Sequence, residues 1–150
     1  MSHEAETRYT ESVEMYLKEI YLLTRDGEPA RTGDIAEALG VSPPSVTDRL
    51  GHLAAHDLVD HAKRRGTTLT DEGEETARRV LRKHCRIERF LVEQLDVTEG
   101  FHDEACRLEH AMSDHIARRL DSFVDLPPEC PDCYDREAQH CSRLFADRED

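Results

Sequence analysis

The sequence predicts a mainly α-helical chain carrying one short β-hairpin. Three observations lead there. Apolar residues recur at helical spacing from Val13 to Leu23 and again from Ala77 to Leu95. A Gly40 stop is followed at once by Val41-Ser42-Pro43-Pro44, which reads as a second helix start. Two β-type segments, Leu58 to Ala62 and Thr67 to Leu69, flank the turn Lys63-Arg64-Arg65-Gly66.

The first helix is predicted from about Glu4 to Arg25, with Val13, Tyr16, Leu17, Ile20, Tyr21 and Leu23 on one face. Asp26-Gly27-Glu28-Pro29 ends it. A short second helix fits Thr32 to Leu39, with Thr32 as N-cap and Gly40 as terminator. Ser42 caps a third helix that runs to about His56 and turns Val46, Leu50 and Leu53 inward. After the hairpin, Thr70 starts a long helix whose stripe is Ala77, Val80, Leu81, Ile87, Leu91 and Leu95. A fifth helix follows Gly100, with Phe101, Ala105, Leu108, Met112, Ile116, Leu120 and Phe123 as its stripe. Pro127-Pro128 closes that pattern and leaves a polar tail containing cysteines.

Helix, helix, tight turn, helix, hairpin is the order of a winged helix-turn-helix, whose third helix enters the major groove while the hairpin follows the backbone. The fold expected is therefore an N-terminal winged helix-turn-helix at residues 1–70, a helical domain at 71–126, and a tail at 127–150. Exposed positions of the third helix, Ser42, Pro44, Ser45, Thr47 and Arg49, suit contacts to phosphates and thymine methyl groups, with Arg49 able to bridge a guanine. Lys63, Arg64 and Arg65 at the wing tip, with Arg31 at the start of the second helix, would meet phosphates. The partner expected is double-stranded operator DNA.

Charge runs against a simple DNA binder. Acids number 33 against 20 bases, for a net −13. Residues 1–70 hold 12 acids and 8 bases (−4), and residues 71–150 hold 21 and 12 (−9), so acidity is concentrated away from the DNA reader. With three lysines against seventeen arginines, this heavy acid loading fits a high-salt cytoplasm, where surface repulsion is screened within a few ångströms. No run of 18 apolar residues and no hydrophobic start occurs, so the expected location is the cytoplasm, with no membrane partner. An odd cysteine count (Cys85, Cys106, Cys130, Cys133, Cys141) argues against a disulfide framework and leaves metal binding or free thiols.

The fifth helix reads His102-Asp103-Glu104-Ala105-Cys106-Arg107-Leu108-Glu109-His110. At about 100° per residue, His102, Cys106, Glu109 and His110 fall within an arc of roughly 100°. On the preceding helix, His84 and Glu88 are one turn apart beside the apolar stripe, where ionisable groups need a partner and a metal is one candidate.

These segments, with Glu14-Met15-Tyr16-Leu17, Arg82-Lys83-His84 and Glu88-Arg89, resemble the diphtheria-toxin-repressor family of iron- and manganese-dependent regulators from about Thr10 to Val124. The resemblance implies a homodimeric metal-dependent repressor with two metal sites, a primary one at Met15, Cys106, Glu109 and His110 and an ancillary one at His84, Glu88 and His102. A thioether and a thiol beside imidazole and carboxylate suit Fe(II), with Co(II), Ni(II) or Zn(II) also accommodated. The family's manganese branch has carboxylates where Met15, Lys18 and Cys106 stand, so Mn(II) is the alternative within the family. Met15 on the first helix and the others on the fifth would let metal favour the DNA-binding arrangement.

Iron-type members often continue into an SH3-like domain, and this sequence stops at Asp150. The ancillary site is then expected to be completed by Asp125, Glu129 or water, or to bind weakly. In the tail, Cys130-Pro131-Asp132-Cys133 and His140-Cys141 fit a small zinc site, a thiol switch or a supplement to the ancillary site. Zinc is the reading preferred here. An enzyme is not expected, because no nucleophile or phosphate-binding loop accompanies the ligand clusters. A winged-helix sensor of small organic ligands, of the multiple-antibiotic-resistance type, would place a dimerisation helix before the reader and would leave the ligand clusters unexplained.

Overall fold

The computed structural model describes residues 9–62 and 65–145. The chain divides into two compact units, one from Arg8 to Arg79 and one from Val80 onward.

The first unit contains α1 (Glu11–Leu23), α2 (Thr32–Leu39), α3 (Pro43–Ala55), β1 (Val59–Ala62), β2 (Gly66–Leu69) and the first half of α4 (Asp71–Arg89). α1 starts at Glu11, where Thr10 caps it by accepting from the Val13 N–H, and the expected stretch from Glu4 to Arg8 lies outside the described residues. α2 has the expected bounds, but its N-cap is Arg31 rather than Thr32, and Gly40 ends it in the left-handed conformation at φ 67°. α3 starts as its sequence dictates, with the Ser42 side chain accepting from the Ser45 N–H and prolines in the first turn. β1 and β2 pair antiparallel from Val59 opposite Leu69 to Ala62 opposite Gly66. Ala30 adds a bridge to Thr67 through two 2.8 Å backbone bonds, widening the hairpin toward three strands. Gly66 is obligatory at that bridge: its φ is +93° and a Cβ there would stand 2.7 Å from the Ala30 carbonyl oxygen.

The core of this unit is Leu17, Ile20, Ile35, Val46, Leu50, Leu53, Leu58 and Ala77, all essentially without exposure. It is built from the inward faces expected of the first three helices. Burying each large aliphatic side chain contributes about 1.5–3 kcal/mol, and together they fix α3 with its other face in water.

The second unit holds the rest of α4, a π-helical turn at Phe90–Gln94, α5 (Phe101–Ala111), α6 (Asp114–Arg119), a 3₁₀ turn at Leu120–Ser122, and a two-residue hairpin, β3 (Tyr134–Asp135) with β4 (His140–Cys141). The expected single fifth helix is two. Met112 is extended (φ −80°, ψ 131°), and Ser113 restarts the chain by accepting from the Ile116 N–H. Buried Lys83 holds this joint, donating to the Met112 carbonyl and pairing with Asp114, both at 2.8 Å. The break redirects the stripe: Ala117 is buried, whereas Ile116 and Phe123 are at least half exposed. Leu95, expected on the stripe of the long helix, is likewise exposed, and Val92 is buried in that stretch.

The tail packs onto this unit. Val92, Cys141 and Leu144 are buried together, with Phe101, Cys133 and Phe145 against them.

Candidate metal centre and DNA-reading surface

Two helices bring the ligand-type residues of the second unit together. α4 is amphipathic, and its face from Lys83 to Arg89 is almost wholly buried, polar residues included. One turn of it carries His84 and Glu88, 0% and 1% exposed. α5 starts at Gly100, which takes the left-handed conformation at φ 73°, and its first turn carries Asp103 and Glu104 where the helix dipole favours acids. It presents His102, Cys106, Glu109 and His110 on neighbouring turns.

The two sets meet in one continuous network. His84 Nε2 lies 3.0 Å from Glu88 Oε2, and His84 Nδ1 lies 3.3 Å from Glu109 Oε2. His102 Nδ1 lies 3.4 Å from the same Glu88 oxygen. Cys106 Sγ is 3.5 Å from His102 Nε2 and 4.0 Å from His84 Nδ1. His110 Nε2 is 3.5 Å from Glu109 Oε1. The donor atoms of His84, His102 and Cys106 all lie within 4.8 Å of one another. Six of the seven expected metal ligands thus share one basin, with Glu109 touching a histidine of each expected set. Met15 belongs to the other unit, where it is partly exposed on α1 beside Glu11, Tyr16, Leu39 and Val41.

The Cys106 sulfur hydrogen-bonds both imidazoles, but the carboxylate contacts of His84 and His102 are close without being hydrogen bonds. His84 Nε2, both Glu88 carboxylate oxygens and His102 Nδ1 are buried without a hydrogen-bond partner, because the short distances come with poor angles. Each buried polar atom left unsatisfied costs about 1–3 kcal/mol. Converging imidazole, thiol and carboxylate lone pairs that face one another fit a divalent cation of borderline softness.

Charge in this basin is tightly matched. Burial opposes a charge on His84, but contacts with Cys106, Glu109 and Glu88 outweigh it and hold the imidazole well above its usual pKa. His102 is raised to about 9, chiefly by Cys106 and then by Glu88. Glu88 is lowered: burial opposes its charge, but His102 and His84 prevail. Imidazolium therefore neutralises the carboxylate near pH 7. His102 binds protons more tightly folded than unfolded, so in the metal-free protein it adds stability below pH about 6.5 that is lost as pH rises through about 9. Metal ligation requires neutral imidazole. Binding near pH 7 is accordingly expected to release protons, with affinity rising about tenfold per pH unit for each proton displaced until pH about 9. Calorimetry in buffers of different ionisation enthalpy checks this, and an enthalpy independent of buffer contradicts it.

The remaining expected ligands lie elsewhere. Asp125 is exposed, and exposed Glu129 pairs with Arg143. In the tail, Cys130, Cys133 and Cys141 come together, while His140 Nδ1 contacts the Cys141 carbonyl at 2.8 Å and its ring packs on Phe101 and Phe145. Sequence reasoning missed two neighbours. Tyr134 packs edge-on against His84 at 5.5 Å, and Cys85 joins the tail thiols. Cys85 sits next to His84 in the chain, which was a usable signal; Tyr134 had none.

In the first unit, Ser42, Pro44, Ser45 and Thr47 are exposed on α3, as are Arg31 and Arg65. Arg49 is half-buried. Ser42 and Ser45 hydroxyls share a 2.8 Å hydrogen bond, and the Thr47 hydroxyl donates to the Pro43 carbonyl at 3.2 Å. Lys63 and Arg64 lie outside the described residues.

Comparison with known proteins agrees with this layout. Residues 8–67 match the family described as iron dependent repressor, N-terminal DNA binding domain, and residues 70–136 match iron dependent repressor, metal binding and dimerisation domain. An HTH-type transcriptional regulator of Methanocaldococcus jannaschii is 39% identical over 118 residues, 77% of this chain and 94% of its own. The diphtheria toxin repressor of Corynebacterium diphtheriae is 40% identical over 112 residues, 73% of this chain and 49% of its own. The chain thus spans about half the length of the diphtheria toxin repressors it matches. Among solved structures, the manganese regulator SloR has a TM-score of 0.68 at 41% identity, covering 79% of this chain and 56% of its own. IdeR of T. acidophilum has 0.67 at 33% identity, covering 83% and 59%. Among the described residues no helix is long and apolar enough to cross a membrane.

Proposed function

The chain belongs to the family of iron-dependent repressors, metal-dependent regulators with a DNA-binding and a metal-binding domain, and from that premise we propose that it is an Fe(II)-responsive repressor of metal-homeostasis genes, acting in the cytoplasm as a homodimer on operator DNA. One observation carries the metal assignment: His84 Nε2, both Glu88 carboxylate oxygens and His102 Nδ1 are buried, face one another and lack a hydrogen-bond partner. His84, Glu88, His102, Cys106, Glu109 and His110 would hold the ion. It would supply the positive charge that these acids now take from protonated imidazoles.

The assignment of Met15 as a thioether ligand rests on the family resemblance. Exposed Ser42, Pro44, Ser45 and Thr47 on α3 are the side chains offered to bases, with Arg49 as the candidate guanine contact. Arg31, Lys63, Arg64 and Arg65 are offered to phosphates. The matched dimerisation domain supports the homodimer, and the exposed apolar side chains of Ile116, Phe123 and Leu108 give it surface to bury.

Thiol among the donors favours Fe(II) over Mn(II). The likeness to SloR, described as a manganese regulator, supports Mn(II) as the second reading. Anaerobic operator titrations with Fe(II), Mn(II) and Zn(II) in concentrated KCl decide between them, salt being controlled because phosphate contacts weaken steeply with it. Activation by Fe(II) at lower free concentration than Mn(II) is expected. The reverse order would install the manganese reading.

A further inference from the structure

We propose that Cys85, Cys130, Cys133 and Cys141 form a second, four-thiolate metal site that binds Zn(II) and fastens the tail onto α4. Three stretches supply these thiols: α4 gives Cys85, the turn after Pro128 gives Cys130 and Cys133, and β4 gives Cys141. Cys85, Cys130 and Cys141 are at most 3% exposed. Cys133 Sγ is 3.1 Å from Cys141 Sγ, and the thiols of Cys85 and Cys133 both act electrostatically on that of Cys130.

The surrounding backbone is arranged as a thiolate site requires. The Arg143 N–H points at Cys141 Sγ at 3.4 Å, and the Ser142 N–H donates to the Cys133 carbonyl at 2.8 Å. Cations are at hand for the net negative charge of four thiolates around Zn(II). Arg89 Nη2 is 3.8 Å from Cys141 Sγ, and Arg82 donates to the Cys130 carbonyl at 3.2 Å.

Packing alone does not account for the tail. Its hairpin has two residues per strand, and the buried cluster beneath it comprises Val92, Cys141 and Leu144 with three half-buried neighbours. An isolated hairpin is marginal in water, and so small a core rarely outweighs the entropy of ordering such a segment. A tetrahedral Zn–S₄ site contributes folding free energy directly. It would also seat Tyr134 against His84, a consequence that depends on the regulatory reading above, whereas the zinc site itself does not.

The balance is simple: four thiols lose their protons to solvent as Zn(II) binds, with no change of oxidation state. A Cys133–Cys141 disulfide would instead need an oxidant, and a 3.1 Å sulfur separation is well beyond the S–S bond length of about 2.05 Å.

The test uses the whole chain, purified anaerobically. A Glu88→Gln/Cys106→Ser double variant disables the regulatory basin, and about one zinc ion per chain should survive dialysis against a mild chelator. Cys85→Ser should lower zinc affinity at least about tenfold, and His140→Ala should leave it unchanged. Should Cys85→Ser fail to fold, differential alkylation of the wild-type chain serves instead: zinc should protect Cys85, Cys130, Cys133 and Cys141 and leave them reactive after chelation. Absence of retained zinc, loss of zinc on His140→Ala with Cys85 free to alkylate, or a disulfide in the untreated protein would each overturn the proposal. Absence of metal-activated operator binding in the wild-type chain, with zinc retained, would count against the regulatory reading alone.

Discussion

Glu88→Gln is expected to raise the Fe(II) concentration needed for operator binding at least about 100-fold, with the fold retained. Glutamine keeps the volume of a side chain that is 1% exposed and sits against His84 and His102. It removes the carboxylate charge that both imidazoles face. Loss of a partner one step removed from a metal typically costs 10–100-fold in affinity, and loss of a direct ligand costs at least as much. His102 should also fall back toward the ordinary histidine range, since Glu88 is one of the two groups raising it. A matched control lies on α5 itself: Glu104 is exposed and pairs with Arg107 one turn away, so Glu104→Gln should change metal response less than about twofold. Circular dichroism and anaerobic titration separate the two effects. Equal responses from both variants would remove Glu88 from the site.

Gly73→Ala is expected to destabilise the DNA-reading unit by about 3 kcal/mol or more, the class of effect seen when overpacking meets rigid backbone. A Cβ at Gly73 would stand 2.0 Å from the Leu58 carbonyl oxygen and 3.4 Å from Leu69. The Leu58 carbonyl is not free to yield. Leu58 is buried, its carbonyl accepts from the Thr70 N–H at 3.1 Å, and the Thr70 hydroxyl in turn accepts from the Gly73 N–H. Relief would require α4 to move off the strand junction. Gly51→Ala is the opposite case. Its position in α3 has nothing within 4 Å and an ordinary helical φ, so alanine should stabilise by about 0.5–1 kcal/mol through its better helix propensity. Chemical denaturation of both variants measures the contrast, and a Gly73→Ala chain as stable as wild type would contradict the close approach.

What the sequence disclosed follows the range of the forces involved. Local signals were readable: Ser42 before two prolines set the start of α3, and Gly40 set the end of α2. So were the inward faces of the first three helices, because burial imposes their spacing. The join between α5 and α6 was not. A continuous apolar pattern ran through Met112 and Ser113, and the break depends on Lys83, 29 residues away from Met112, satisfying the freed carbonyl. Ligand types on α4 and α5 were legible from one-turn spacing, but their fusion through Glu109 depends on how the two helices pack. Cys85 shows the same limit. A thiol on a helix face is ordinary until the distant tail brings the Cys130 thiol to it.

The central claim is that metal and operator binding are coupled through this chain. Linkage makes the coupling reciprocal: whatever factor Fe(II) adds to operator affinity, operator DNA must add to Fe(II) affinity. The most direct measurement is Fe(II) affinity of the whole chain with and without saturating operator, under anaerobic conditions at fixed high KCl. The account predicts an affinity gain of about 5–150-fold in the presence of operator, equal to the gain in DNA affinity produced by Fe(II). Fe(II) affinity unchanged by operator, with DNA bound equally well in chelator, would contradict it.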